Sequence, residues 1–243
     1  MSSNEPELTL WSALVVRGPL ERVVLPRFRE AHGVATAAVF DPTVVLMERL
    51  GRDDPPDVIV STASSLASPV PPGIDRDSVV PLVRSAIGVG VATGATRPAI
   101  DTPDRLRRAL LDARSVAYSR TGQSGIRFLE ILERLGIAAD VVPRATALAK
   151  GFTGEALLDG RADLAIQQIS ELRFVPGVDV VGAFPEECQV YTDFAVALSA
   201  RMPESRRRRA GALLEFLTGE EAGAAYRDEG LIVTSSTRRS GDA

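Results

Sequence analysis

Short apolar runs alternate with amphipathic segments along almost all of this 243-residue chain, and that alternation most limits what it can fold into. Leu8–Trp11 and Asp57–Val60 are too short and too apolar for surface helices, so they read as strands covered on both faces. Helical spacing separates them. Leu20, Val23, Val24 and Phe28 share one face of a segment running from Arg17 or Gly18 to His32, and Gly33 ends it. Ala35–Val39 is the second strand, and Pro42–Leu50 is a helix with Pro42 in its first turn. The turn Asp53–Pro56 leads into the third strand. Strand, helix, strand, helix, strand implies a parallel sheet with helices on its faces.

A second unit of the same kind follows a loop-rich stretch, Ser61–Arg76, that carries Pro69, Pro71, Pro72 and Gly73. Val79–Val91 is β-branched and too long for one ordinary strand, so it is expected to pass from one domain to another. Thr102 caps a helix with Pro103 at its first position. The unit then reads as strand Ser115–Tyr118, helix Ser124–Leu135, strand Ala139–Val142, helix Gly154–Leu158, and strands Ala162–Gln167 and Val178–Val181. Val190–Ser199 is a second long strand, and helices Glu204–Leu217 and Glu220–Arg227 close the chain. The expected architecture is α/β with two lobes: residues 1–83 with 195–243, and residues 84–194. A ligand cleft is expected between the lobes.

Composition removes several functions. With 28 Lys and Arg against 32 Asp and Glu, the net charge of −4 offers nucleic acid no attractive field, and Arg206–Arg209 is expected to be a solvated face. The one cysteine, Cys188, excludes an internal disulfide and a cysteine-built zinc site. The one histidine, His32, sits at a helix end where it meets the last carbonyls, so neither metal nor cofactor is expected. Met1–Glu7 has no basic start and no apolar stretch, and no segment is long enough to span a bilayer. The chain as given is expected to be cytoplasmic without membrane insertion, or periplasmic or extracellular if an export signal has been removed.

One loop carries the first functional signal. After strand Ser115–Tyr118 comes a run of small polar residues ending in Ser124 and Gly125, and a helix then opens. Its apolar positions are Ile126, Leu129, Ile131, Leu132 and Leu135. Ser124 stands where an N-cap belongs, and Gly125 lets a ligand come close to the backbone. The first N–H groups of a helix have no internal partner and lie at its positive end, so such a terminus holds a small anion.

The order of these pieces resembles the type 2 periplasmic binding protein fold, and most closely its molybdate-binding-protein-like branch. The landmarks are Trp11–Leu14, Asp57–Ala63, Tyr118 and Ser119 with Ser124 and Gly125, Glu133–Gly136, Gly160–Glu171, and Pro185–Phe194. The resemblance implies a ligand held by strand-to-helix loops, with Ser12 and Ser61 at the first- and second-loop serines and Ser124 offering a main-chain N–H. Gln168 falls where molybdate receptors commonly carry a ligand-binding tyrosine, a departure that points away from molybdate itself.

From the residues, Arg84, Arg120 and Arg17 are cations within reach of a cleft, and guanidinium pairing favours a di- or tricarboxylate. Arg84 stands out because it interrupts an apolar stretch. Gln167, Gln168 and Ser170 form a polar cluster at a strand end, and Tyr191 and Thr192 lie at the second crossover. The candidate ligand set is therefore Ser12, Ser61, Arg84, Tyr118, Arg120, Ser124, Gly125, Gln168 and Ser170. The leading expectation is a small-anion solute-binding protein, with a transporter or regulator as its partner. The alternative is an isomerase of an unsaturated di- or tricarboxylate, similar to aconitate isomerase, with Glu171, Tyr118, Tyr191 or an activated serine as base. A third reading is a ligand sensor with no DNA-binding domain of its own.

Overall fold

The structure is a computed structural model that describes residues 8–52, 55–67 and 69–234; Met1–Glu7, and Asp53 and Asp54 of the expected turn, lie outside the described residues. The chain divides into two compact units, Met1–Arg84 with Asp193–Ala243, and Ser85–Thr192. The first unit opens with β1 (Leu8–Ser12), α1 (Arg17–Pro19), α2 (Leu25–His32), β2 (Thr36–Phe40), α3 (Thr43–Leu50), β3 (Val58–Thr62), α4 (Ala63–Ala67) and β4 (Val80–Ser85). The second runs β5 (Ile87–Ala92), α5 (Pro103–Asp112), β6 (Val116–Ser119), α6 (Gln123–Arg134), α7 (Ala138–Val141), β7 (Thr146–Leu148), α8 (Glu155–Leu158), β8 (Leu164–Gln168), α9 (Ile169–Phe174) and β9 (Val178–Ala183). The chain returns to the first unit through β10 (Thr192–Leu198), α10 (Glu204–Thr218), α11 (Glu220–Asp228) and β11 (Ile232–Val233).

The first unit's sheet has the order β11-β4-β10-β3-β1-β2. β1 pairs in parallel with β2 and β3, and β3 pairs antiparallel with β10. Both faces are covered: Leu8 and Leu10 pack with Phe28, Val58, Leu213 and Tyr226, while Trp11 and Ile59 pack with Leu46 and Leu66. The expected helix from Arg17 to His32 forms with a wide π turn, Leu20–Val24, inside it, where the Leu25 N–H reaches back to the Leu20 carbonyl. Pro26 follows at once. It has no N–H to donate and its ring crowds the carbonyl four residues back, so the helix widens ahead of it. Gly33, at φ 67°, closes the helix in the left-handed region, and His32 stacks on Phe28 with ring centroids 4.6 Å apart.

The second sheet has the order β7-β6-β8-β5-β9. β6 is parallel to β7 and β8, whereas β5 runs antiparallel to β8 and β9. Ile87, Tyr118 and Ile166 pack on one side with Phe128, Ile131 and Leu132 of α6. Ala117 and Ala165 pack on the other with Ala156 and Leu172. The Thr102 hydroxyl accepts from the Arg105 N–H with Pro103 in the first turn, as the sequence predicts.

Three expectations change. Ala139–Val142 is not a strand: α7 and a 3-10 turn, Val142–Arg144, occupy it, and the strand comes later as β7. Gly136, at φ 67°, turns the chain after α6, and the Arg144 guanidinium ties the new turn to the carbonyls of Asp140, Leu110 and Leu111. Val79–Val91 is two strands interrupted at Ala86, whose carbonyl accepts from the Ile169 N–H while the Gln189 side chain accepts from the Ile87 N–H. Arg206–Arg209 is not simply a solvated face. Arg206 grips Asp57 through Nε at 2.6 Å and Nη2 at 2.9 Å, and Arg207 reaches Asp75 at 2.8 Å. Among the described residues no helix is long and apolar enough to cross a membrane.

Asp57 is the join between α10 and the sheet. Its carboxylate also accepts from the Thr9 N–H at 2.7 Å and the Thr9 hydroxyl at 3.0 Å. Burial works to raise its pKa, but Arg206 and Thr9 outweigh it and hold the carboxyl below its ordinary value. Its stabilisation is therefore present above the ordinary carboxylate range and is lost as pH falls through the lowered value. Asp57→Ala strands the Thr9 N–H and the Arg206 charge and is expected to cost about 3 kcal/mol in urea unfolding at neutral pH. A loss below about 0.5 kcal/mol would show the latch to be idle.

Candidate functional site

Parallel strands end at one edge, so the loops that follow them gather there. In the first unit this brings Ser12 and Ser61 together. Ser12 lies opposite Val60, one residue before Ser61, and the Ala13 N–H donates to the Val60 carbonyl at 2.8 Å. Both serines are fully buried. Ser12 Oγ donates to the Ala13 carbonyl, while Ser61 Oγ lies 3.0 Å from Ser65 Oγ and donates to Thr43 Oγ1 at 3.4 Å. Ser65 in turn donates to the Thr62 carbonyl at 2.8 Å. Thr43 and Ser65 are hydroxyls that sequence reasoning missed, because nothing in a lone Thr or Ser marks it until the strand order places it beside Ser61.

Arg84 is engaged within this unit: Nε and Nη2 hold the two carboxylate oxygens of Asp193 at 2.7 and 3.1 Å. Arg17 pairs with Glu21 at 3.1 Å and lies over the Phe40 ring at 5.5 Å.

In the second unit, Ser119 of β6 pairs with Leu148 of β7, and one step back Tyr118 lies opposite Ile166 of β8. The loops after β6, β7 and β8 therefore leave the sheet side by side. The cap of α6 is Gly122, not Ser124. Ser119 Oγ accepts from the Gly122 N–H at 2.9 Å, and the Gly122 carbonyl then accepts from Gly125 and Ile126. Gln123 and Ser124 thus present the N–H groups of an open first turn. Ser124 is buried, as is Gly125, and Arg120 is exposed at the loop's start. A Cβ on Gly125 would lie 1.6 Å from the Ser119 carbonyl oxygen, so this glycine serves the approach of helix to strand. Tyr118 belongs to the core, its ring 5.7 Å from Phe128.

At the end of β8 alternate side chains take opposite faces. Gln168 shares the α6 face with Ile166. Its Nε2 donates to Thr192 Oγ1 at 3.2 Å, and its Oε1 is buried with no hydrogen-bond partner among the described residues. Gln167 takes the other face, where Oε1 accepts from Thr153 N at 2.7 Å and Thr153 Oγ1 at 2.9 Å. Ser170 and Glu171 follow in α9, both buried. Burial pushes the Glu171 carboxyl up to about 8, against hydrogen bonds from the Gln167 side chain and the Gln168 backbone that favour the charged form. Tyr191, half-exposed, donates to Glu186 at 2.9 Å. Ser12 and Ser61 thus meet in one unit, and Ser124, Gly125, Gln168 and Ser170 lie at the corresponding strand ends of the other. Among the described residues no cluster of His, Cys, Asp and Glu is suited to a metal.

A family model described as bacterial extracellular solute-binding protein matches residues 8–232. The chain is similar to an aconitate isomerase from Pseudomonas sp., at 34% identity over 92% of this chain and 87% of that one. Its structure is similar to the periplasmic molybdate-binding protein of Azotobacter vinelandii, with TM-score 0.74 and 15% identity over 93% of this chain and 98% of that one. It is also similar to the sulfate-binding protein SubI of Mycobacterium tuberculosis, with TM-score 0.68 and 14% identity over 96% and 88% of the two chains.

Two outcomes test this geometry. Gly125→Ala is expected to lower stability by about 3 kcal/mol or more, because strand and helix backbones must separate; unfolding within about 0.5 kcal/mol of wild type would refute the packing. For Glu171, the unfolded chain ionises from about pH 4.5 while the folded chain keeps its proton to about 8. Stability therefore falls as pH rises across that interval, and Glu171→Gln removes the fall. The variant should be the more stable by on the order of a few kcal/mol at neutral pH and equal to wild type near pH 4. Parallel pH profiles of the two proteins would contradict it.

Proposed function

Because the chain belongs to the bacterial extracellular solute-binding protein family, we propose that it binds a small carboxylate anion through main-chain N–H donors and polar side chains at the carboxyl ends of β6 and β8 in the second unit. The fold is the two-lobed type 2 periplasmic-binding-protein fold. The observation that carries the reading is the open first turn of α6, which follows β6 at the same sheet edge where its parallel neighbour β8 ends in Gln168. A helix terminus stabilises an anion without a paired cation, which suits a chain whose Arg84 and Arg17 are occupied by Asp193 and Glu21. A glutamine in place of the tyrosine of molybdate receptors, and the 34% identity to an aconitate isomerase, favour a di- or tricarboxylate over a tetrahedral oxyanion.

A second reading is isomerisation of an unsaturated tricarboxylate, favoured by that same relative. Such a reaction moves one proton. A base takes it from the methylene carbon beside a carboxylate, the electron pair shifts to make a new double bond, and the former vinyl carbon is protonated. Glu171 of α9, which burial pushes up to about 8, is the titratable group that supports it.

Calorimetry with citrate, trans-aconitate, malate, molybdate, tungstate and sulfate is expected to give binding for a carboxylate at micromolar or lower Kd and weaker or no binding for the metal oxyanions. No heat with any of the six would overturn the anion-binding reading. Proton NMR of trans-aconitate with the protein in deuterated buffer tests the second: new vinyl signals and deuterium uptake are expected, and an unchanged spectrum after long incubation removes this substrate.

A further inference from the structure

Building on the carboxylate-binding reading, we propose that Ser85 and Gln168 together receive an alcohol hydroxyl of the ligand, so that the class of molecule this chain selects is a hydroxycarboxylate.

Ser85 Oγ and Gln168 Oε1 are both buried, and neither has a hydrogen-bond partner among the described residues. Ser85 is 0% and Gln168 2% exposed. A buried polar atom left unpaired costs about 1–3 kcal/mol, and native chains hold few of them. Here two fall within two residues of each other along the β5–β8 pairing. Ile87 lies opposite Gln168 across the β5–β8 ladder, the Ile169 N–H donates to the Ala86 carbonyl, and Ser85 is the next residue along. Both belong to the second unit.

The chemistry of the two atoms defines what completes them. The Gln168 amide is oriented by its Nε2–H, which donates to Thr192 Oγ1, so its oxygen is the bare atom and it only accepts. The Ser85 hydroxyl has a proton to give. A group that accepts from Ser85 and donates to Gln168 must carry both a lone pair and a proton on one oxygen. An alcohol does. An ionised carboxylate or a fully deprotonated oxyanion offers acceptors only, and would be repelled by the amide oxygen. Gln168 lies on the same face of β8 as Ile166, the face that α6 covers. The hydroxyl subsite therefore falls on the side of the sheet that α6 covers, the side on which we place the ligand's carboxylate. Ser85 carries no signal in the sequence, because a serine inside a β-branched stretch reads as filler until its unpaired hydroxyl is placed.

The test pairs ligands that differ by one hydroxyl: citrate against propane-1,2,3-tricarboxylate, and malate against succinate. Calorimetry on wild type is expected to show the hydroxylated member of at least one pair binding about tenfold tighter or more, as one well-made hydrogen bond at each end allows. Ser85→Ala and Gln168→Met should each erase that preference, mainly by weakening the hydroxylated ligand. The apo melting temperature of Ser85→Ala should equal or exceed that of wild type, since that change removes an unpaired buried hydroxyl and breaks no hydrogen bond. Equal affinities within both pairs in wild type, or a preference that survives both Ser85→Ala and Gln168→Met, would overturn the hydroxyl subsite while leaving carboxylate binding intact. Absence of binding by every anion, molybdate and sulfate included, would instead remove the anion-binding reading beneath it.

Discussion

The carbonyl of Ser119 and the α-carbon of Gly125 come so near that no side chain fits at position 125, and the end of the second unit depends on that approach. It fixes where α6 begins relative to β6. Once α6 is seated, the Ser119 hydroxyl is in place to take the Gly122 N–H, and Gly122 becomes the cap. The cap's own carbonyl then serves Gly125 and Ile126, which consumes two further N–H groups. What is left at the helix mouth is a small, fixed set of donors, aimed along the helix axis and carrying its positive end. A steric constraint on one residue thus becomes an electrostatic feature of the surface.

The same economy governs the arginines. This chain has many, and sequence reasoning assigned several to an anion. Two of the three candidates have a carboxylate within their unit: Arg84 has Asp193, and Arg17 has Glu21, while Arg120 is exposed at the start of the loop before α6. Arg206 has Asp57. Arg206 and Arg84 do different work despite similar geometry. Asp57 is nearly shut from solvent and also serves Thr9, so that pair pins α10 to the sheet. The Arg84 pair is about half exposed on both sides and contributes little to stability.

Much of the fold was legible because the hydrophobic periods are clean. β1, β3, β6 and β8 are apolar runs that differ from the expected ranges by a residue or two at their ends. The Thr102 cap and its proline were readable because both act within one turn. The failures have a common cause, which is that the deciding contact lies far along the chain. Val141 and Val142 look like strand residues, yet Arg144 reaching to Leu110 and Leu111 holds them in helical turns. Ala86 looks like the middle of a long strand, yet the side chain of Gln189 takes the place of a ladder partner there. Ser124 looks like a cap because serines often are, but the hydroxyl that caps belongs to Ser119, at the end of the preceding strand. In the candidate site, Ser12 and Ser61 were legible from their place after apolar strands. Thr43, Ser65 and Ser85 were not, since each acquires meaning only from a neighbour in space.

The two glutamines at the end of β8 show how one strand end divides its labour. They are adjacent in sequence and almost equally buried, and the alternation of the strand sends them to opposite faces. Gln167 is saturated: its oxygen takes two bonds from Thr153, its nitrogen faces the Gly151 carbonyl at 3.5 Å, and it steadies a carboxyl that burial has made hard to ionise. Nothing remains on it for a ligand, so its work is to hold the loop after β7 against the strand. Gln168 is half satisfied, with one atom fixed by Thr192 and the other bare. A side chain that is oriented but incomplete is preorganised, because its rotamer is already set before any partner arrives. Which face a residue occupies therefore decides which polar atoms it leaves unpaired at this edge. A slip of one residue in the pairing of β8 would exchange the two roles and leave the bare oxygen under α9, away from the mouth of α6.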